Sequence, residues 1–221
     1  ILDISFMRDH MQGYYILLYS MLILFIIGLI DDKKNIKAYK KFSFQLLIAF
    51  ILVWKANIRI ESFHGLFGLF ELPLWISYLF SILVILFFIN AYNLIDGLDG
   101  LSASIGIYIL SIFFCIFYFN NIIIEGMIAL SLIGALFGFL IFNRPPAKIF
   151  MGDSGTLSLG LIIAFLSIRV SNLPLDSMGT VNPVFPMIVL AYPAIDTLRV
   201  FFMRLSKGIS PFTADKNHIH H

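Results

Sequence analysis

The chain has 221 residues, of which 60% are hydrophobic and 13% charged, with a net charge of +2 and a mean hydropathy of +0.95. A soluble domain is nearer half apolar, so an ordinary water-soluble fold is excluded and a bilayer becomes the expected partner. The single cysteine, Cys115, excludes a disulfide framework and a thiolate metal site, and no nucleic-acid partner is expected.

The apolar residues fall in long runs. These read as seven transmembrane helices at about 14–30, 42–54, 74–92, 102–119, 122–142, 156–170 and 183–204. The second and sixth are short for a span and can extend past Lys55 and Arg169. The fold class is therefore all-α, a polytopic helical membrane protein with one integral-membrane domain over residues 1–221. There is no signal peptide and no initiator methionine, and the chain stops at His221 inside a polar motif. A fragment truncated at both ends is expected.

The first run ends at Asp31-Asp32. Adjacent carboxylates stay ionised most easily beside cations, here Lys33 and Lys34 or a divalent metal. A solvated helix end explains the same pair. After the second run, residues 55–73 alternate at Ile58-Arg59-Ile60-Glu61 and are punctuated by Gly65 and Gly68. A small β-hairpin near 58–72 is expected there, with His64 as an ordinary loop residue.

The third run closes on Asn93-Leu94-Ile95-Asp96-Gly97-Leu98-Asp99-Gly100. Hard oxygen donors three residues apart share a helix face. One Asn and two Asp at a helix end suit an ion such as Mg²⁺. After the fifth run, Asn143 to Gly155 is rich in helix breakers. Gly152-Asp153-Ser154-Gly155 stands at a helix start, where free amides favour phosphate. Asp153 is a candidate metal ligand and Ser154 a candidate cap, and a plain capped helix start fits as well. Phe150, taken alone, reads as a lipid- or core-facing side chain. In the seventh run, Asp196 and Arg199 are spaced to pair. The tail carries His218, His220 and His221, which suit a transition metal or the gripping of phosphates; a truncated purification tag is the alternative, against which the interrupting Ile219 and the polar lead-in argue.

Eleven of the 15 Lys and Arg residues fall in loops on the side of the four polar clusters. The positive-inside rule makes that side cytoplasmic.

Together, Asp31-Asp32, Asn90 to Leu101, Asn143 to Gly155 and His218-Ile219-His220-His221 resemble the polyprenyl-phosphate N-acetylhexosamine-1-phosphate transferase family, in family order. The resemblance implies ten or eleven membrane helices, with this chain supplying the third to the ninth. It implies a Mg²⁺-dependent phosphotransferase, with Mn²⁺ as an alternative ion. Such an enzyme moves a sugar 1-phosphate from a UDP-N-acetylhexosamine to undecaprenyl phosphate and releases UMP. It would work at the cytoplasmic face of the bacterial plasma membrane, in cell-wall or polysaccharide synthesis, with a homodimer as one assembly.

By the same resemblance Asp153 is the principal Mg²⁺ ligand and Asn93 a second. Asp31 and Asp32 handle the lipid phosphate or support the metal. Asp96 and Asp99 flank the nucleoside pocket, Asn143 lines it and Phe150 stacks on uracil. His218, His220 and His221 contact the diphosphate or the sugar. The Ser210-Pro211-Phe212 lead-in and the His-Ile-His-His ending resemble the N-acetylglucosamine branch rather than the branch using UDP-N-acetylmuramoyl-pentapeptide. Two rival classes are weaker. Asp96-Gly97-Leu98-Asp99 lacks the Ala-Arg continuation of CDP-alcohol phosphotransferases. A transporter would carry its charges nearer the bilayer midplane.

Overall fold

The computed structural model describes residues 4–173 together with Ala191 and Ile195. The expected seventh run, with Asp196 and Arg199, and the histidine tail lie outside the described residues.

Six α-helices carry the described fold: α1 (Ile4–Lys34), α2 (Ala38–Lys55), α3 (Leu74–Ile95), α4 (Leu101–Phe119), α5 (Ile123–Asn143) and α6 (Gly152–Ser171). Each described apolar run is helical because only internal backbone hydrogen bonds satisfy a peptide in lipid. Five of the helices are long and apolar enough to cross a membrane: Met11–Lys34 of α1, and α3, α4, α5 and α6. The chain is therefore a multi-pass membrane protein. The expected seven spans are corrected to these five among the described residues. The helix α2 has only 18 residues and carries Lys40, Lys41 and Lys55, so its charge keeps it short of a full apolar span. It still packs beside α1, with Gly13 close to Ala56 at one end and Lys41 on Asp31 at the other.

Local chemistry sets the helix ends. Lys33 and Lys34 close α1, where cations favour the helix dipole. Asn35 then turns left-handed at φ 48°, a conformation that Asn tolerates, and donates its N–H back to the Asp31 carbonyl at 2.9 Å. Pro73 precedes α3, and Gly100 at φ 75° precedes α4.

The most enclosed helix is α6. It is buried almost from end to end and packs against both α1 and α3. Glycine makes these approaches possible, as small residues do between membrane helices. Gly28 of α1 faces the backbone of Asp153 and Ser154, and Gly160 of α6 faces the backbone of Phe88 and Ile89. The helices α4 and α5 form a second pair around Phe113 and Phe117, both fully buried.

At the end of the bundle away from the polar clusters, Glu125 of α5 is 2% exposed. It accepts hydrogen bonds from Tyr14 Oη of α1 at 2.8 Å and from Arg169 Nε of α6 at 2.6 Å. This pairing keeps a buried carboxylate compatible with an apolar setting.

The expected hairpin near 58–72 does not form. Among the described residues there is no strand, only an isolated antiparallel bridge between Ser62 and Glu71 around a 3-10 turn at Leu66–Gly68. The reason lies in its neighbours. Ile60 N–H donates to Ser81 Oγ of α3, and Glu61 N–H donates to Asn172 Oδ1 beyond α6. Ser77 Oγ and Asn172 Nδ2 donate to the carbonyls of Ile60 and Arg59. Side chains from the helices thus take the groups a ladder would use. The alternation at Ile58 and Ile60 records burial against the bundle, not a sheet face. His64 Nε2 lies 3.1 Å from the Ser171 carbonyl, as befits a structural loop residue.

Candidate functional site

The polar clusters meet at one rim of the bundle. Asp31 and Asp32 arrive on the last turn of α1, Lys41 on the first turn of α2, Asn93 on the last turn of α3 and Asp153 on the first turn of α6. The Lys41 ammonium bridges two carboxylates. It lies 2.8 Å from Asp31 Oδ2 and also contacts Asp153 Oδ2. The other oxygen of Asp153 accepts from Asn93 Nδ2 at 2.8 Å, and the same nitrogen reaches Thr156 Oγ1 at 2.7 Å. Asp31 Oδ1 accepts the Ile36 N–H at 2.5 Å.

Asp32 does something different from its neighbour. Its carboxylate accepts the N–H groups of Asp153 at 2.8 Å and Ser154 at 3.3 Å. The anion at the N-terminus of α6 is therefore a side chain of α1, which satisfies the orphan amides and complements the dipole. Gly152 makes the approach possible. Its φ is 63°, and a Cβ there would lie 2.8 Å from Asp32 Oδ2. The free amides expected at Gly152–Gly155 are partly occupied from within.

One step outward, Asp96 Oδ1 accepts from Ser102 Oγ at 2.5 Å, and Gly152 N–H also donates to this carboxylate. Burial pushes the Asp96 carboxyl above the usual carboxylate range. The hydrogen bonds from Ser102 and Gly152 oppose the shift, and the charges of Asp153 and Asp32 reinforce it. A raised folded-state value means that stability is fullest below the unfolded value and falls as pH rises through the folded one. Asp96→Asn keeps an oxygen for Ser102 and removes the charge. It is expected to raise the melting temperature by a few degrees at neutral pH. The gain should shrink as the pH is lowered from neutral to acidic and the native carboxyl takes up its proton. Thermal melts of both proteins at neutral and acidic pH check this.

A second group ties two loops together beside the rim. Asn143 is 2% exposed. Its Oδ1 accepts Gly100 N–H at 2.9 Å and its Nδ2 donates to the Ile149 carbonyl at 2.8 Å. Asp99 Oδ2 accepts Ala147 N–H at 3.0 Å. The two thus fasten the α3–α4 loop to the α5–α6 loop, and a crevice of about 660 Å³ opens beside them, lined by Leu98, Asp99, Phe137, Leu140, Arg144 and others. Phe150 is 63% exposed two residues before α6.

Of the sequence-expected residues, Asp31, Asp32, Asn93, Asp96 and Asp153 come together. Asp99 and Asn143 form the adjoining brace, and His218, His220 and His221 lie outside the described residues. Sequence reasoning missed Lys41, Thr156 and Ser102. Lys41 hid within a basic run that already explained membrane orientation. Deeper in the bundle, Asn90 Nδ2 donates to the buried Gln45 Oε1 at 2.9 Å, one turn beyond Asn93 and Lys41 on their helices.

Asp31 and Asp153 share one ammonium, Lys41, while Asp32 and Asp96 stand beside them on backbone N–H and hydroxyl donors. Their oxygens are hard donors of the kind Mg²⁺ takes. No ready-made cage of three such groups is present among the described residues. Mg²⁺ does not need one, since it keeps several waters and binds through one or two carboxylates. The residues fit, with one adjustment: Asn93 presents its nitrogen to Asp153 and would need a half-turn of its amide to offer oxygen.

A carboxylate-rich site at one rim of an apolar helix bundle defines a class: membrane-embedded helical proteins that handle charged groups at the bilayer surface. Comparison with known proteins narrows it. The chain belongs to glycosyl transferase family 4, whose family model matches residues 14–171. It is 36% identical over 201 residues to the probable undecaprenyl-phosphate N-acetylglucosaminyl 1-phosphate transferase of Bacillus subtilis (strain 168), covering 90% of this chain and 55% of that protein. It is 32% identical over 219 residues to the decaprenyl-phosphate N-acetylglucosaminephosphotransferase of Mycolicibacterium smegmatis, covering 90% and 53%. It is 25% identical over 204 residues to the undecaprenyl-phosphate alpha-N-acetylglucosaminyl 1-phosphate transferase of Escherichia coli K12, covering 90% and 55%. The chain thus spans about half the length of these curated relatives.

Proposed function

We propose that this chain carries the catalytic rim of an enzyme that transfers N-acetylglucosamine 1-phosphate from its UDP derivative to a polyprenyl phosphate, undecaprenyl phosphate in a bacterial plasma membrane. The supporting observation is the convergence of Asp31, Asp32, Asp96 and Asp153 with Asn93 at one rim, where carboxylates outnumber the ammonium between them. Such a surplus of negative charge calls for a cation, and a cation in turn draws phosphates. The names of the relatives support the sugar and the acceptor. The basic residues support a cytoplasmic site: Lys33, Lys34, Lys37, Lys40, Lys41, Arg144 and Lys148 flank it, against Lys55, Arg59 and Arg169 at the other end. UDP-sugars are cytosolic and the lipid phosphate lies at the inner surface, so both substrates reach this rim.

In the reaction, a terminal oxygen of the lipid phosphate attacks the β-phosphorus of the UDP-sugar. The bond from that phosphorus to the bridging oxygen breaks and UMP departs with the electron pair. A phosphate monoester has a second pKa of about 6, so the nucleophile is already mostly dianionic and needs little deprotonation. The harder task is to bring two anions together. Asp153, with Asn93 and Asp31 beside it, would hold Mg²⁺, which when bound would supply charge neutralisation for the pyrophosphate and the departing UMP. Asp32 holds the start of α6, and hence Asp153, in place. Asp31, whose oxygens meet the Ile36 N–H and Lys41, would orient the acceptor through the Lys41 it holds. Phe150, Asp99 and Asn143 stand at the loops where the nucleoside would lie.

Both oxygens of Asp32 receive backbone N–H groups, which blunts it as a nucleophile and favours direct displacement over an aspartyl-phosphate. Release of UMP from UDP-N-acetylglucosamine, dependent on Mg²⁺ and polyprenyl phosphate, is the expected result. No release would overturn the proposal, and a trapped phosphoprotein lost in Asp32→Asn would overturn direct displacement.

A further inference from the structure

We infer that Lys41 is a positioning residue that holds the place of the divalent ion between Asp31 and Asp153, so that metal entry at this rim is an exchange of one cation for another. The inference rests on the reading of Asp153 as a metal ligand and adds a residue to it.

Three observations carry it. First, Lys41 bridges a carboxylate from the end of α1 and one from the start of α6. Without a cation between them these two groups would repel across the α1–α6 seam. Second, both oxygens of Asp153 already have donors, Asn93 on one and Lys41 on the other. The Asn93 amide can turn and offer its oxygen, whereas a charged ammonium has no lone pair to give a metal. An ammonium and a divalent ion on the same carboxylate repel strongly at such distances. Lys41 is therefore the group that must withdraw. Third, it can. Its side chain is a flexible four-carbon stem rooted in the first turn of α2, beside the exposed Lys40 and the Asn35–Lys37 loop, so the ammonium has a short path to water.

The arrangement has a use. It keeps the acidic residues of α1 and α6 together when no metal is bound, and it tempers the affinity of the site for metal. Once displaced, the ammonium lies beside the place where the phosphates gather.

The test uses Mn²⁺ alone as the probe, on purified protein in detergent, with no substrate and no turnover. Free Mn²⁺ is followed by electron paramagnetic resonance. Lys41→Met is expected to bind Mn²⁺ about tenfold more tightly than the unsubstituted protein, as removal of a competing charge a few ångströms away implies. Lys41→Arg keeps the charge and is expected to stay near the unsubstituted affinity. Asp153→Asn is expected to lose the site. Equal or weaker binding in Lys41→Met, with Asp153→Asn still losing the site, overturns this inference alone. Binding retained in Asp153→Asn, or absent from all the proteins, overturns the metal reading beneath it.

A second measurement needs no variant. Acylation of lysines with a water-soluble anhydride, quantified by mass spectrometry, is expected to rise at Lys41 relative to Lys40 and Lys148 as Mn²⁺ saturates. Labelling of Lys41 that stays flat or falls while Mn²⁺ binds would refute the exchange.

Discussion

Asp153→Asn is expected to lower the rate of UMP release by at least about a thousandfold, the scale on which one preorganised electrostatic group acts in a reaction that gathers charge. The argument is one of charge rather than shape. Asn is isosteric with Asp, so its side chain still fits between Asn93 and Lys41. The backbone N–H groups of residues 153 and 154 still find the carboxylate of Asp32, and α6 still starts at Gly152. The substitution removes the negative charge that a divalent ion would follow into the site and leaves Lys41 with Asp31 alone. A melting temperature within a few degrees of the unsubstituted protein is therefore expected beside a nearly dead enzyme. Full activity in this variant would rule out Asp153 as the metal ligand. Loss of activity together with loss of folding would assign it a structural role instead.

That the same rim is legible from sequence and from structure has a physical basis. A charged or amide side chain between apolar runs is rare enough in a membrane protein to stand out. The helices end where polar residues start, so Asp31-Asp32, Asn93 and Asp153 could be placed at helix termini without knowledge of packing. Parity of crossings then put them at one end. Contacts between helices are what the sequence could not convey. Lys41 reads as one of several lysines whose evident task is to orient the protein. Only the packing of α2 against α1 singles it out from Lys40 next to it.

Asp32 illustrates the same limit. The pair Asp31-Asp32 carries no mark that one member reaches Lys41 and the other caps a helix 121 residues later. Nor does Asn143 announce itself as a brace, since its two partners, Gly100 and Ile149, contribute only backbone groups. The segment 58–72 misleads for a related reason. Its period of two is real, but the periodicity reports which side chains are buried, whereas a strand also requires a partner for its backbone. Ser77, Ser81 and Asn172 meet that requirement from the helices.

Gly28→Ala is the other substitution expected to have a large effect, and it acts through packing alone. A Cβ at this position would lie 2.4 Å from both Ser154 Cα and Ser154 N, and 2.6 Å from the carbonyl carbon of Asp153. These are backbone atoms of α6, so no rotamer relieves the clash and the two helices must separate. Overpacking of this kind costs about 1–3 kcal/mol, and Val should cost more. The separation also opens the one seam on which the site depends. Asp32 would move away from the N–H groups it caps, and Lys41 would no longer span Asp31 and Asp153. Loss of UMP release is therefore expected to exceed what the lost stability explains, and it should persist well below the melting temperature. Gly134 and Gly138 of α5 supply the contrast. A Cβ at either meets nothing within 4 Å, and Ala is the better helix former by about 1 kcal/mol, so Ala there should leave activity intact and the melt unchanged or slightly raised. If Gly28→Ala melted and turned over like Gly134→Ala, the close approach of α1 to α6 would be refuted. The placement of Asp31, Asp32 and Asp153 in a single site would fall with it.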